Sequence, residues 1–297
     1  MTINNQLRQE ISDSISRATG QSFHIEKISG TSGGCINTAY IVGNDNQSYF
    51  IKTNRSDSIS MFEAECQALV EMAKTETIRV PAPVCTGRNS DTSWLVMENL
   101  QLQNHGNQKQ LGQQLAAMHQ VTSTQFGWLR DNTIGSTPQI NTQGDDWIAF
   151  FRDNRLGYQL SLAAKNGCRK NLQKSGAALM ECIDDFFTGY EPLPSLLHGD
   201  LWGGNYAFLQ TGESVIFDPA LYYGDRETDI AMTELFGGFS KEFRNSYENC
   251  WPLDSGYETR KHLYNCYHVL NHLNLFGGGY ALQAENIINR LLSERNP

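Results

Sequence analysis

Two lobes of an α+β chain are predicted: a small antiparallel-sheet lobe over residues 1–98 and a larger, mainly helical lobe over residues 99–297. Three observations predict this. The first third carries short alternating or β-branched runs separated by turn residues, as strands do. From about residue 107 the apolar spacing changes to the three-and-four pattern of helices. The polar motifs with chemical potential fall on both sides of that change, which places the expected site in a cleft between the lobes. With 297 residues, 39% of them hydrophobic and 19% charged, the chain has the length and composition to bury a substantial core.

The elements follow in order. Ile3, Leu7, Ile11 and Ile15 recur every four residues and mark a first helix, without the basic start and apolar stretch of a signal peptide. Residues 23–28 alternate as a half-buried strand, and residues 38–42 and 49–52 make a second and third strand around a turn at 43–47. Between the first two strands lies Ser29-Gly30-Thr31-Ser32-Gly33-Gly34-Cys35-Ile36-Asn37, a glycine-rich turn. Residues 61–74 form a helix with Phe62, Cys66, Leu69 and Ala73 on one side. The prolines at 81 and 83 break the pattern, residues 94–97 form a strand, and a hinge is expected at Glu98, Asn99 and Leu100. Helices are expected over 110–120, 146–164, 175–187 and 258–275. No apolar run approaches a membrane span. A net charge of −9 argues against a nucleic-acid surface, so neither nucleic acid nor membrane is expected as a partner. The seven cysteines are odd in number and scattered, with no CxxC, as in a reducing cytoplasm. His262/Cys266 and His268/His272 each sit four apart in one helix, a spacing open to metal binding and more often used for packing.

The most informative segment is His198-Gly199-Asp200-Leu201-Trp202-Gly203-Gly204-Asn205, followed by Asp218 in Val215-Ile216-Phe217-Asp218-Pro219. It has the spacing of a kinase catalytic loop, H-x-D-L-x-x-x-N, without the central Arg. Phosphoryl transfer needs a carboxylate to take the proton of the attacking hydroxyl, which assigns Asp200 as the base. It also needs an amide and a second carboxylate on the metal ions, which assigns Asn205 and Asp218 and implies ATP with Mg²⁺. Gly30, Gly33 and Gly34 let backbone approach phosphates, although the Walker ending G-K-[ST] is absent. Lys52 ends the third strand, where a kinase places the lysine that grips the α- and β-phosphates. Its carboxylate partner is Glu65 rather than Glu63. The two lie about 200° apart on a helix, and Glu65 shares the apolar face with Phe62 and Leu69. Backbone groups of Glu98, Asn99 and Leu100 are placed against the adenine edge. Asp229 starts an apolar helical pattern and is read as tying down the catalytic loop by accepting its N–H groups, with His198 as further support. His119 is read as a packed helix residue.

Longer stretches carry a narrower resemblance. Residues 61–65, 134–139, 195–205, 217–220 with 229–239, and 271–280 together resemble the fructosamine-3-kinase and ketosamine-kinase family, within the aminoglycoside-phosphotransferase and choline-kinase-like group. They extend over about residues 20 to 290. The resemblance implies a protein-kinase-like fold and ATP-dependent phosphorylation of a ketoamine, free or on a protein lysine, at the hydroxyl of the third sugar carbon. The phosphorylated adduct then falls apart and frees the amine, so the implied role is deglycation. It also implies a sugar contact for Trp202, and a far wall of the pocket at Asn271 and His272. Gly203-Gly204 stands where many relatives have Ser-Gly, and a slightly looser loop is expected. Two rivals stay open: a kinase for another small hydroxyl compound, aminoglycoside- or choline-like, and a catalytically inactive kinase-shaped binding protein.

Cys35 lies in the glycine-rich turn. Oxidation there, or a disulfide to a second chain that makes a homodimer, would block ATP entry, and this defines a redox-switch hypothesis.

Overall fold

The amide hydrogens of residues 23 and 25 show how the chain departs from its simplest reading. Phe23 and Ile25 are both buried, as an alternating strand requires. Their N–H groups, however, donate to Ser16 Oγ at 2.9 Å and Ser12 Oγ at 3.2 Å on the preceding helix. With those donors spent, the stretch joins no ladder, and the first strand starts only at Lys27. These positions come from a computed structural model that describes residues 3–31, 36–168 and 170–294.

The chain divides into two units, one of residues 1–107 and 206–219, the other of residues 108–205 and 220–297. In chain order the first unit opens with α1 (Asn5–Thr19), β1 (Lys27–Thr31), β2 (Thr38–Gly43), β3 (Ser48–Arg55), α2 (Ile59–Ala73), β4 (Pro83–Arg88), β5 (Thr92–Glu98) and β6 (Leu102–Gln103). The second unit follows with α3 (Gln108–His119), β7 (Asn132–Ile134), β8 (Thr137–Gln139), α4 (Trp147–Phe151), α5 (Tyr158–Lys165), α6 (Lys170–Glu181) and β9 (Ser195–Leu197). β10 (Tyr206–Leu209) and β11 (Ser214–Ile216) return to the first unit. β12 (Tyr222–Gly224), α7 (Glu227–Leu235), α8 (Lys241–Cys250), α9 (Tyr257–Phe276) and α10 (Tyr280–Ser293) complete the second.

In the first unit five strands form an antiparallel sheet in the order β1-β2-β3-β5-β4. β3 is central. Its pleat sends Ile51 into the cluster built by Leu7, Ile11 and Ile15 of α1 with Val42, Trp94 and Val96. The next residue, Lys52, points to the other face, toward α2. Asn4 caps α1 by accepting from Leu7 N–H, and Gly20 closes it. The unit does not end at the expected hinge. β6 pairs with β10, and β10 with β11, so the chain beyond Glu98 stays tied to the first unit as far as residue 107.

In the second unit the 20-residue α9 is the central post, buried along most of its length and packed on α5, α7 and α10, while α3 packs on α8. The helix expected over 146–164 is present but interrupted. Residues 152–157 form a π segment that turns Arg155 inward. Arg155 is fully buried and donates to Ile140 O at 2.6 Å and Asn141 Oδ1 at 2.8 Å, with its guanidinium 4.1 Å from the Tyr222 ring centroid. The helix expected over 175–187 starts earlier, at Lys170, and gives way after Glu181 to a 3-10 turn over Ile183–Phe187. β4, α8 and α10 were not legible in the apolar spacing. No helix among the described residues is long and apolar enough to cross a membrane.

Candidate active site

The catalytic-loop residues lie in the second unit, between β9 and the segment that returns to the first. β9 pairs antiparallel with β12 and delivers His198 at its end. Gly199 has φ +83°, and a Cβ there would lie 2.1 Å from Ala220 O, so only glycine lets the chain turn at this point. Asp200 is then fixed through its own backbone. Its N–H donates to His198 Nδ1 at 3.2 Å, and its carbonyl accepts Asn205 Nδ2 at 2.9 Å. Asn205 Nδ2 also reaches Asp200 Oδ2 at 3.4 Å. The amide nitrogen of Asn205 is thus spent on Asp200.

Asp229, at the start of α7, carries the loop. Its carboxylate accepts the N–H of His198 at 2.7 Å and of Gly199 at 2.8 Å. Behind it stand His119, whose Nε2 lies 3.2 Å from Asp229 Oδ2 and whose Nδ1 lies 2.8 Å from Tyr247 Oη, and Arg226, which donates to Tyr247 Oη at 3.1 Å. Burial depresses the His119 pKa, so the imidazole is neutral, donating to Asp229 and accepting from Tyr247. Burial alone would raise the Asp229 carboxyl. The hydrogen bond from His119, with help from the Gly199 N–H, instead holds it below its ordinary value. His119 is thus a buried link in the support of the loop.

Neighbouring segments brace this loop. Ala220 N–H donates to His198 O at 2.9 Å. Gln139 Nε2 donates to Ala220 O at 2.9 Å, and Asn132 Nδ2 to Leu221 O at 2.8 Å, which gives the 134–139 motif its task. In the 224–227 stretch, Asp225 accepts from Tyr190 Oη at 2.9 Å and from the Tyr264 hydroxyl. Glu227 takes a two-pronged bond from Arg260, at 2.8 and 3.1 Å. These buried acids are occupied by structure.

The first unit holds the other set. Lys52 Nζ lies 2.5 Å from Glu65 Oε1 and 2.6 Å from Asp218 Oδ1. Burial opposes the ammonium charge, but the two carboxylates outweigh it and raise the Lys52 pKa above its ordinary value. Asp218 has φ +60°, a left-handed conformation that Asp tolerates better than most residues and that is common where a side chain must be aimed. Glu63 is exposed on the outer side of α2, as the helix periodicity requires.

Other expected positions are placed differently. Gly30 lies within β1 rather than in a turn, paired with Tyr40. Gly33, Gly34 and Cys35 lie outside the described residues. Glu98 ends β5. Its carboxylate takes a hydrogen bond from the Arg79 guanidinium, and its N–H is spent on Ala82 O at 2.8 Å. Asn99 Nδ2 donates to Ser48 Oγ at 2.9 Å, and Leu100 is half-buried. Asn271 is 2% exposed, and its amide is used by Gln159 and Ile134 O, so it packs the helix and does not line a wall. One residue on, about 100° around the helix, His272 reaches the surface. Trp202 is 41% exposed on the catalytic loop. Gly203 is not slack. A Cβ there would lie 2.8 Å from Gly237 O and 3.2 Å from Gly238 Cα, so the catalytic loop and residues 237–238 meet backbone to backbone. Cys266 and His268 are buried, and the described residues contain no group of three or more His, Cys, Asp or Glu that could hold a metal. Sequence reasoning missed Tyr247, which meets His119 and Arg226 behind the loop's anchor although it lies 128 and 21 residues from them in the chain.

A sheet unit with a buried Lys–Glu pair, and a helical unit with an H-x-D-x-x-x-x-N loop, define a protein-kinase-like phosphotransferase. The choline kinase of Streptococcus pneumoniae shares this fold at 13% identity, with a TM-score of 0.65 over 97% of this chain and 99% of that one. The narrower assignment follows from sequence. The family model for fructosamine kinase matches residues 7–294, and the chain belongs to that family. It is 48% identical over 287 residues to a "probable ketoamine kinase" of Synechocystis sp., covering 96% of each chain. It is 45% identical over 277 residues to the chloroplastic protein-ribulosamine 3-kinase of Arabidopsis thaliana, covering 92% of this chain and 85% of that one. A crystal structure from Haemophilus somnus, assigned as a fructosamine-3-kinase, superposes with a TM-score of 0.88 at 28% identity, covering 98% and 100%.

Proposed function

We propose that the chain transfers the γ-phosphoryl group of ATP to the third-carbon hydroxyl of a ketoamine, the adduct that glycation leaves on an amine. The observation that carries this reading is the Asp200–Asn205 loop, anchored by Asp229, in a chain of the fructosamine kinase family. Asp200 orients the hydroxyl and takes its proton as the new O–P bond forms and the bond to the β-phosphate oxygen breaks, releasing ADP. Lys52, charged and held by Glu65, positions the α- and β-phosphates. Asn205 Oδ1 and the Asp218 carboxylate are hard oxygen donors of the kind Mg²⁺ takes, and they would hold it. The metal, when bound, neutralises the triphosphate charge. Gly30, Gly33 and Gly34 are assigned to the phosphates, and backbone around Glu98, Asn99 and Leu100 to adenine. Trp202 and His272 are assigned to the sugar side.

Phosphate on the third carbon is a better leaving group than hydroxide, so the product is set up to eliminate and release the amine. That makes the activity a repair step for glycated amines or protein lysines in the cytoplasm. The test is ATP consumption with Mg²⁺ on ribulosyl-lysine, fructosyl-lysine, an aminoglycoside and choline, with Asp200→Asn as control. Turnover of a ketoamine that vanishes in the variant supports the assignment. Turnover of only the aminoglycoside or choline, or of none, overturns it.

A further inference from the structure

A cavity of about 660 Å³ opens between the end of α7, the first half of α9 and α10, all in the second unit. That volume suits one small molecule. Its lining changes character along its length. Lys261, His262 and Arg290 make one end basic, and Leu282 makes the other apolar. Leu282 and Arg290 are eight residues apart on α10, about 12 Å along its axis. Three side-chain amides, Asn265, Gln283 and Asn286, line the same space.

Two observations point to a ligand. Asn265 is 6% exposed, yet its Oδ1 has no hydrogen-bond partner among the described residues. Other buried amides of this unit, Asn132, Gln139 and Asn141, are all bonded, as burial demands. The second observation is that the cations are only partly spent. Arg290 gives Nε to Glu294 at 2.7 Å, and its two terminal nitrogens have no partner among the described residues. The His262 ring has none there either. Lys261 holds Glu258 at 2.5 Å and Glu234 at 3.2 Å, and Glu234 is also taken by Arg244 and Tyr257. Burial, then the Arg290 and Lys261 charges, hold the His262 pKa below its ordinary value, while Glu294 and Glu258 work the other way by less. Positive charge therefore gathers around one half-buried ring.

The chemistry of the lining selects the occupant. A carboxylate presents two oxygens in a plane, whereas a phosphate ester presents three, and the donors come from a guanidinium, an imidazole and an ammonium. The Asn265 oxygen needs a donor, which a sugar hydroxyl supplies and a fully ionised phosphate lacks. Side-chain amides offer a donor and an acceptor together, as hydroxyls do. Leu282, 62% exposed, is left for the C–H face of the sugar.

We propose that this cavity is a sugar-phosphate site separate from the ATP-binding residues, with Arg290, Lys261 and His262 on the phosphate and Asn265, Gln283 and Asn286 on the hydroxyls. It goes beyond the kinase reading and does not depend on it. His262 stands ten residues from His272, about 15 Å along α9, and so lies apart from the side assigned to the ketoamine.

The test is calorimetric titration of the full chain with glucose 6-phosphate and with ribose 5-phosphate, with saturating Mg-ADP present throughout. At least one ester should bind at a single site at millimolar concentration or below, about tenfold more tightly than inorganic phosphate or the free sugars. Arg290→Gln, a change to an exposed side chain, and Asn265→Leu should each weaken it about tenfold. Asp200→Asn should leave it unchanged. If Asn265→Leu fails to fold, Arg290→Gln decides. No binding of either ester, inorganic phosphate binding equally well (an adventitious ion only), affinity unchanged in Arg290→Gln, or binding lost in Asp200→Asn would each overturn the site.

Discussion

Asp218 and Asp229 are two carboxylates handled in opposite ways. In the first unit Asp218 stands 2.6 Å from a buried ammonium, on a backbone at φ +60°. In the second, Asp229 has no exposure to speak of and is satisfied by two backbone N–H groups and a neutral imidazole. A carboxylate held by a cation can exchange that partner for another cation, and its side chain is partly exposed. A carboxylate held by N–H donors in the interior has nothing to exchange and acts as a fixed anchor. The first arrangement suits a ligand-binding group. The second suits a brace for the loop that carries Asp200, the proposed base.

The largest effect should come from the residue the anchor serves. Asp200→Asn keeps the shape of the loop and removes the base, so kcat should fall about a thousandfold or more while ATP still binds. Coupled ADP release and calorimetric ATP titration check the two halves of that statement. A kcat within tenfold of wild type would mean that Asp200 is not the base.

Next is the cation of the first unit. Lys52→Met should cut kcat/KM for ATP by about a hundredfold. It should also cost about 3 kcal/mol of stability, because Glu65 is left buried with no ammonium. The paired variant Lys52→Met/Glu65→Leu separates the two effects. Urea melts should show most of the stability recovered, since an apolar pair replaces an ionic one, while activity stays low. Recovery of both would mean that the pair serves the fold alone.

The anchor itself ranks third. Asp229→Asn must present an NH₂ group to one of three donors, two of them backbone N–H groups that cannot turn away. Stability should drop by about 2 kcal/mol and kcat by roughly tenfold, with KM for ATP little changed. A change confined to KM for ATP would remove Asp229 from the support of Asp200.

These contrasts show which features a sequence can reveal. Helical periodicity was enough to choose Glu65 over Glu63, because a buried cation needs its partner on the apolar face. The spacing from His198 to Asn205 was legible because the loop's geometry is local. Partners distant in the chain were not. His119, Arg226 and Tyr247 meet behind Asp229 only after α3, α7 and α8 have packed. Asn271 and His272 looked equivalent as neighbours, but their separation around α9 turns one inward and the other out. Gly203 suggested a loose loop, whereas its missing Cβ lets residues 237–238 close on it. The first strand was misplaced because two serine hydroxyls on α1 compete for its amide hydrogens. In the second half, α8 buries only Phe243, Ser246 and Tyr247, and α10 only Ala284, Ile288 and Leu291, too few apolar positions to mark a period.

The smallest effect sharpens the contrast between interior groups that have donors and those that do not. His268, on α9, is buried, and neither ring nitrogen has a hydrogen-bond partner among the described residues. Burial, with His272 nearby, pushes its pKa down to about 3, against an ordinary value of 6.5. Between those values the unfolded chain binds a proton that the folded chain refuses, so stability rises with pH across that window and is lost as pH falls below 6.5. Each pH unit of the descent withdraws about 1.4 kcal/mol for this one group. His119 is also depressed by burial and shares the upper part of the window, so the two add. His268→Phe fills the space without a titrating ring. Urea melts from pH 7.5 to 5 should therefore fall less steeply for the variant than for the wild-type chain, though not flatly, because His119 remains. Parallel slopes would show that His268 gains a proton partner in the folded chain and is not a source of its acid sensitivity.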